Sequence, residues 1–238
     1  KSGSGKDLTL SGVLLQRFEQ SEGERRLFVD CTESILEGNE SYRRQLQLGY
    51  PYWLQRIQDT RQMTLLGTPG TALGDVNGDG LEDLYLCQPG GLPNRLFVQQ
   101  PNGSLKDFTE ESGTGWVESC RSALLVDLDN DGDQDLVIAS YARLVVCRND
   151  GKGHFSVAKI MELGIGAMGI SAADYDDDGD LDLYVCHYSR GDLDLEAGAT
   201  VIGSGGPFVY HDANNAGRNY LYRNELQSGS LAFRDVTA

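Results

Sequence analysis

Asp174-Tyr175-Asp176-Asp177-Asp178-Gly179-Asp180-Leu181-Asp182 runs on into Leu183-Tyr184-Val185-Cys186 in this 238-residue chain. It sets carboxylates at alternate positions 1, 3, 5, 7 and 9 and a glycine at position 6, with an apolar run behind them. Carboxylates this dense repel one another, so a folded chain keeps them either fully solvated or gathered round a cation. Calcium fits best, as a hard ion that takes six to eight oxygens in flexible geometry. The glycine supplies the positive φ of a sharp turn.

The frame recurs. Asp127-Leu128-Asp129-Asn130-Asp131-Gly132-Asp133-Gln134-Asp135 precedes Leu136-Val137-Ile138, and Asp75-Val76-Asn77-Gly78-Asp79-Gly80-Leu81-Glu82-Asp83 precedes Leu84-Tyr85-Leu86-Cys87. The starts lie 52 and 47 residues apart, a period that points to a propeller or an array. We call these loops one (75–83), two (127–135) and three (174–182). An EF-hand would carry a bidentate Glu at position 12, where this chain has Leu86, Ile138 and Val185. The late acidic ligand falls instead at position 9, on Asp83, Asp135 and Asp182. The runs that follow are short and aliphatic, β-branched or aromatic, which reads as buried strand rather than helix. Dockerin repeats fit less well, because they continue into helices. Each unit is therefore expected to be strand, calcium loop, strand.

In this frame the chain resembles the FG-GAP (VCBS-type) repeat of integrin α-chain propellers and of many secreted bacterial proteins, and it is closest to bacterial and cartilage-acidic-protein-like members. Asn94-Arg95-Leu96-Phe97 and Asn219-Tyr220-Leu221-Tyr222-Arg223-Asn224 resemble the strand that follows the loop in that family. Phe28-Val29-Asp30-Cys31-Thr32, Lys106-Asp107-Phe108-Thr109 and Phe233-Arg234-Asp235-Val236-Thr237 resemble the segment that closes a repeat. The likeness covers residues 26–238 and is interrupted at Ser34–Gly70 and Ser189–Ala216. It implies an all-β chain of about three propeller blades, part of a larger or assembled propeller, since known propellers close with four to eight.

The expected metal ligands follow from the frame. They are Asp75, Asn77, Asp79, the carbonyl of Leu81 and Asp83; Asp127, Asp129, Asp131, Asp133 and Asp135; and Asp174, Asp176, Asp178, Asp180 and Asp182. Position 7 is expected to bind through its backbone carbonyl. Two to three calcium ions are expected, one per loop, with loop one weaker because Asn77 lowers its charge.

The formal net charge is −16, and 15 of the 36 Asp and Glu residues sit in the three loops. That balance argues against nucleic acid and anionic membrane as partners, and no apolar window is long enough to span a bilayer. Five cysteines without a C-x-x-C pair argue against zinc. Mostly free thiols are expected, with at most one disulfide. Residues 1–25 read as a linker or edge segment, and residues 26–32 as a strand. Residues 34–65 read as a helical insertion, with short helices over Tyr42–Leu48 and Tyr52–Met63, and residues 189–216 as a long exposed loop.

Other motifs carry less. Arg190-Gly191-Asp192 spells an integrin-read tripeptide that a chain rich in Asp and Gly produces by chance. His154, His187 and His211 are scattered, and a structural role suits them better than a polar site with Tyr188 and Tyr210. Asn39-Glu40-Ser41 and Asn102-Gly103-Ser104 are sequons. No nucleophile elbow or phosphate loop is present. The expected role is a non-enzymatic, extracytoplasmic module that recognises a protein or glycan, with calcium structural. Its further partners would be more blades or domains of the same protein, or a second copy. A scaffold for neighbouring domains is the alternative, and an enzyme with its site in the 187–212 loop is a weaker one.

Overall fold

The computed structural model describes residues 28–58, 69–164, 166–187, 217–226 and 230–237. Residues 28–31 belong to a separate N-terminal unit; they are irregular and exposed, and the strand expected at 26–32 is not formed there.

The repeat frame becomes three four-stranded antiparallel sheets, each a simple up-and-down meander. Blade one holds β1 (Thr71–Gly74), β2 (Asp83–Leu86), β3 (Arg95–Gln99) and β4 (Leu105–Asp107). Blade two holds β5 (Cys120–Val126), β6 (Asp135–Ser140), β7 (Arg143–Asn149) and β8 (Phe155–Glu162). Blade three holds β9 (Ala167–Ala173), β10 (Asp182–His187), β11 (Tyr220–Asn224) and β12 (Phe233–Asp235). Each acidic loop joins the first strand of its blade to the second, as the strand–loop–strand reading requires. The first strands β1, β5 and β9 are successive neighbours, so the blades follow one another in chain order; among the described residues they do not close a ring.

The alternation of side chains in the second strand decides the packing. In β2 and just past it, Tyr85 and Cys87 face blade two, where they meet Leu136 and Ile138 of β6. In β6, Val137 and Ala139 face blade three and meet Leu183 and Val185 of β10. Each blade thus presents one pair backward and the next pair forward. The backward pair of blade one, Leu84 and Leu86, packs under a helical segment with Leu36, Tyr42 and Phe97. The forward pair of blade three is exposed: Tyr184 is 42% accessible and Cys186 is open to solvent.

The helical segment differs from expectation. It comprises α1 (Thr32–Leu36), a single π-turn (Tyr42–Leu46) and α2 (Gly49–Leu54), and Pro51 sits in the first turn of α2, where its missing N–H costs nothing. The segment is fixed to one face of blade one. Asn39 Nδ2 donates to the Leu105 carbonyl (2.7 Å), Asn39 Oδ1 accepts from Asp107 N–H (2.7 Å), and the Gln45 amide oxygen accepts from the Arg95 guanidinium (2.6 Å). The first sequon asparagine is therefore consumed in packing. The second helix stops at Leu54; residues 59–63 of the expected span lie outside the described residues, as do 1–25 and 189–216.

The closing segments have a clear local role. Thr109 Oγ1 accepts from Leu96 N–H (3.0 Å), and Thr237 Oγ1 accepts from Leu221 N–H (2.9 Å), each tying the end of its blade to the third strand. The preceding Asp107 and Asp235 each accept the backbone N–H of that threonine (both 2.9 Å).

Candidate metal centre

The three loops share one backbone construction. Position 1 straps the turn: Asp75, Asp127 and Asp174 accept the N–H of the position-6 glycines Gly80 (2.7 Å), Gly132 (3.0 Å) and Gly179 (3.0 Å). Those glycines have φ of 83°, 94° and 92°, as expected. Position 4 is also left-handed, on Gly78, Asn130 and Asp177, and its Gly/Asn/Asp choice is the sequence signal for it. Position 5 turns to the backbone: Asp79, Asp131 and Asp178 accept from the N–H of position 7 at 2.8, 3.0 and 3.0 Å.

Position 9 is the knot of each blade. Asp83, Asp135 and Asp182 are at most 2% exposed. One oxygen of each accepts the position-2 N–H, from Val76, Leu128 or Tyr175. The other accepts the N–H at the end of the third strand, from Gln99 (2.8 Å), Asn149 (3.0 Å) or Asn224 (2.8 Å). Burial pushes the Asp135 carboxyl up to about 6, against the opposing pull of its two N–H donors. Asp83 is raised for the same reason.

In loop two, carboxylate oxygens of Asp127, Asp129 and Asp135 all lie within 4.8 Å of one another, and in loop three those of Asp174, Asp176 and Asp182 do the same. Positions 1, 3 and 9 therefore converge; Asp131 and Asp178 are not in these mutual clusters. Loop one has Asn77 at position 3, and the Asn77 amide instead bonds Asp79, through Nδ2 to its carboxylate (3.1 Å) and through Oδ1 from its N–H (3.0 Å). A buried acceptor with no donor is costly. Asp127 Oδ1 and Asp129 Oδ1 are both buried without a hydrogen-bond partner, and burial raises the Asp129 pKa although the Arg148 guanidinium opposes it. Two orphaned oxygens facing a third carboxylate fit a hard cation.

The sequence profile of the FG-GAP-like repeat matches residues 75–138 and 127–185, so each match begins at an acidic loop and ends within the second strand of the following blade. The chain carries FG-GAP-like repeats. The three blades share one meander and two of them hold converged carboxylates, which is a β-propeller-like arrangement. No curated protein matches the chain.

Two functional features escaped the sequence reading. The first is a latch between blades. Asn149 Nδ2 donates to the carbonyl of Val76 in loop one (2.8 Å), and Asn224 Nδ2 to the carbonyl of Leu128 in loop two (2.8 Å). The signal was the shared Arg-Asn at 148–149 and 223–224. The second is the arginine itself: Arg148 Nε lies 2.5 Å from Asp129 and Arg223 Nη1 3.7 Å from Asp176, both at position 3.

Of the remaining candidates, His187 is buried, with Nε2 2.9 Å from the Gly164 carbonyl, and burial lowers its pKa. That is a structural environment. His211, Tyr188, Tyr210 and the Arg190–Asp192 tripeptide lie outside the described residues. His154 bonds Asp150 at the β7–β8 turn. Cys87, Cys120 and Cys147 are buried thiols and Cys186 an exposed one. No helix among the described residues is long and apolar enough to cross a membrane.

Proposed function

We propose that this chain is a calcium-stiffened, non-enzymatic recognition module that works outside the cytoplasm. The observation that carries the reading is the pair of orphaned oxygens on Asp127 and Asp129, which face Asp135 at the end of a buried hairpin. Calcium at that point would tie position 1, position 3 and the position-9 knot together, and through Asn149 and Asn224 loops two and three are linked to the blade before them. The ion is then structural. A millimolar calcium supply suits sites of this modest charge, which favours an extracytoplasmic setting. Protein or glycan is the ligand class in keeping with an acidic surface. The test is a thermal melt in calcium, in magnesium and in chelator. A rise in Tm with calcium that magnesium does not reproduce, and that Asp127→Asn reduces, supports the reading. Equal Tm values in all three would remove it.

A second role rests on the forward face of blade three. Tyr184 and Cys186 stand exposed at the positions where Tyr85 and Cys87 are buried. Such a face favours packing against further blades or a neighbouring domain, so recognition and scaffolding are compatible in one module.

A further inference from the structure

The strand register aligns three residue pairs. Leu84 stands opposite Phe97, Leu136 opposite Cys147 and Leu183 opposite Tyr222. The next residue along the third strand is therefore equivalent in the three blades: Val98, Arg148 and Arg223. Position 3 of the matching loops is Asn77, Asp129 and Asp176. Where position 3 is an acid, an arginine stands at the strand position and reaches it; where it is an amide, the strand position is valine. The effect on charge is uniform. Positions 1, 3, 5 and 9 carry four carboxylates in loops two and three and three in loop one. Subtracting one guanidinium from loops two and three leaves these four positions at net −3 in every loop, although Glu82, Asp133, Asp177 and Asp180 add further charge outside them.

We infer that Arg148 and Arg223 are built-in counter-cations that set the calcium affinity of loops two and three, an inference that rests on the calcium reading above. Without calcium, the guanidinium stabilises the ionised, buried Asp129, whose side chain is only 3% exposed. The Arg148 Nε stands against Oδ2 as an ion pair, and Oδ1 has no hydrogen-bond partner. With calcium, the same positive charge repels the ion, so the arginine lowers affinity while keeping the empty loop folded. The two sites are not equal. Arg223 is farther from its acid and is drawn aside by Glu225, which Arg234 also holds at 3.1 Å, and the Asp176 side chain is 26% exposed. The arginine control is therefore stronger in loop two.

The test uses the amides of Gly80, Gly132 and Gly179, one reporter per loop, followed by NMR during calcium titration of the whole chain. Arg148→Met keeps most of the stem's bulk and removes the charge. The expected result is a Gly132 midpoint at about tenfold lower calcium, since a unit charge within a few ångströms of a divalent ion matters even at high effective dielectric, with Gly80 unmoved. Arg223→Met should shift Gly179 by less. The double variant Asp129→Asn, Arg148→Val gives loop two the chemistry of loop one and should bring the Gly132 midpoint back towards that of Gly80. In chelator the sign reverses: Arg148→Met melts below wild type, because Asp129 loses its counter-ion. A wild-type chain that binds calcium, with an unchanged or raised Gly132 midpoint in Arg148→Met, overturns the inference and leaves the calcium reading standing. A wild type in which no reporter responds overturns both.

Discussion

Blade one and blade three carry nearly the same second strand, Leu84-Tyr85-Leu86-Cys87 and Leu183-Tyr184-Val185-Cys186, yet their forward-facing side chains have opposite fates. Tyr85 is 0% exposed, its hydroxyl on the Thr114 carbonyl, whereas Tyr184 is 42% exposed. Cys87 is buried and Cys186 is not. The frame dictates which way each side chain points; only the next blade decides whether it is buried. Each repeat is thus half a core, complete only against its neighbour.

Thiol reactivity should separate the two faces most widely. In a Cys31→Ser background, Cys186 should react with a maleimide at the rate of an accessible thiol. Cys87 should wait for the blade to open and be slower by a factor of roughly 10³ or more. Burial also pushes the Cys147 thiol up to about 12 and that of Cys87 higher still, which removes reactive thiolate. Similar rates at Cys186 and Cys87 would break the comparison.

The next effect is energetic. Tyr85→Ala empties a packed position between blades and should cost about 3–5 kcal/mol in denaturant unfolding. Tyr184→Ala should cost under about 1 kcal/mol, as surface changes do. Comparable losses would mean that blade three's forward face is already covered. The latch gives a smaller contrast. Asn149→Ala strips a donor from the carbonyls of Val76 and Gln134 and should cost about 1–3 kcal/mol. Gln99→Ala, at the same place in blade one, should cost a few tenths.

The smallest effect is in pH. Asp135 is raised to about 6 by burial, so the fold favours its neutral form. Its contribution to the metal-free fold is complete below the unfolded value near pH 4 and is lost as pH rises through about 6. Calcium relieves the penalty on the ionised form. The calcium-induced rise in Tm should therefore be larger at pH 7 than at pH 5; a smaller rise at pH 7 would contradict the placement of Asp135 in the site.

The loops, their glycines and the flanking strands were legible, because each is set by residues adjacent in sequence. Position 9 was legible as acidic, but its double use as a knot was not, since the second donor lies on a strand far along the chain. Arg148 was hidden for the same reason: nothing local links it to Asp129 until the β6–β7 register brings them together. The helical segment was legible as an interruption with helical character. Its π-turn and its docking by Asn39 and Gln45 were not, because a short helix is fixed by the face it covers rather than by its own propensity.

The most direct measurement is calorimetric titration of calcium into the chelator-stripped chain and into Asp127→Asn, Asp129→Asn. The account predicts saturable binding at two to three sites in the wild type and the loss of one site in the variant, with the others retained. Absence of binding heat, or an isotherm that the double variant leaves unchanged, would contradict it: the converged carboxylates would then be a solvated acidic surface and nothing more.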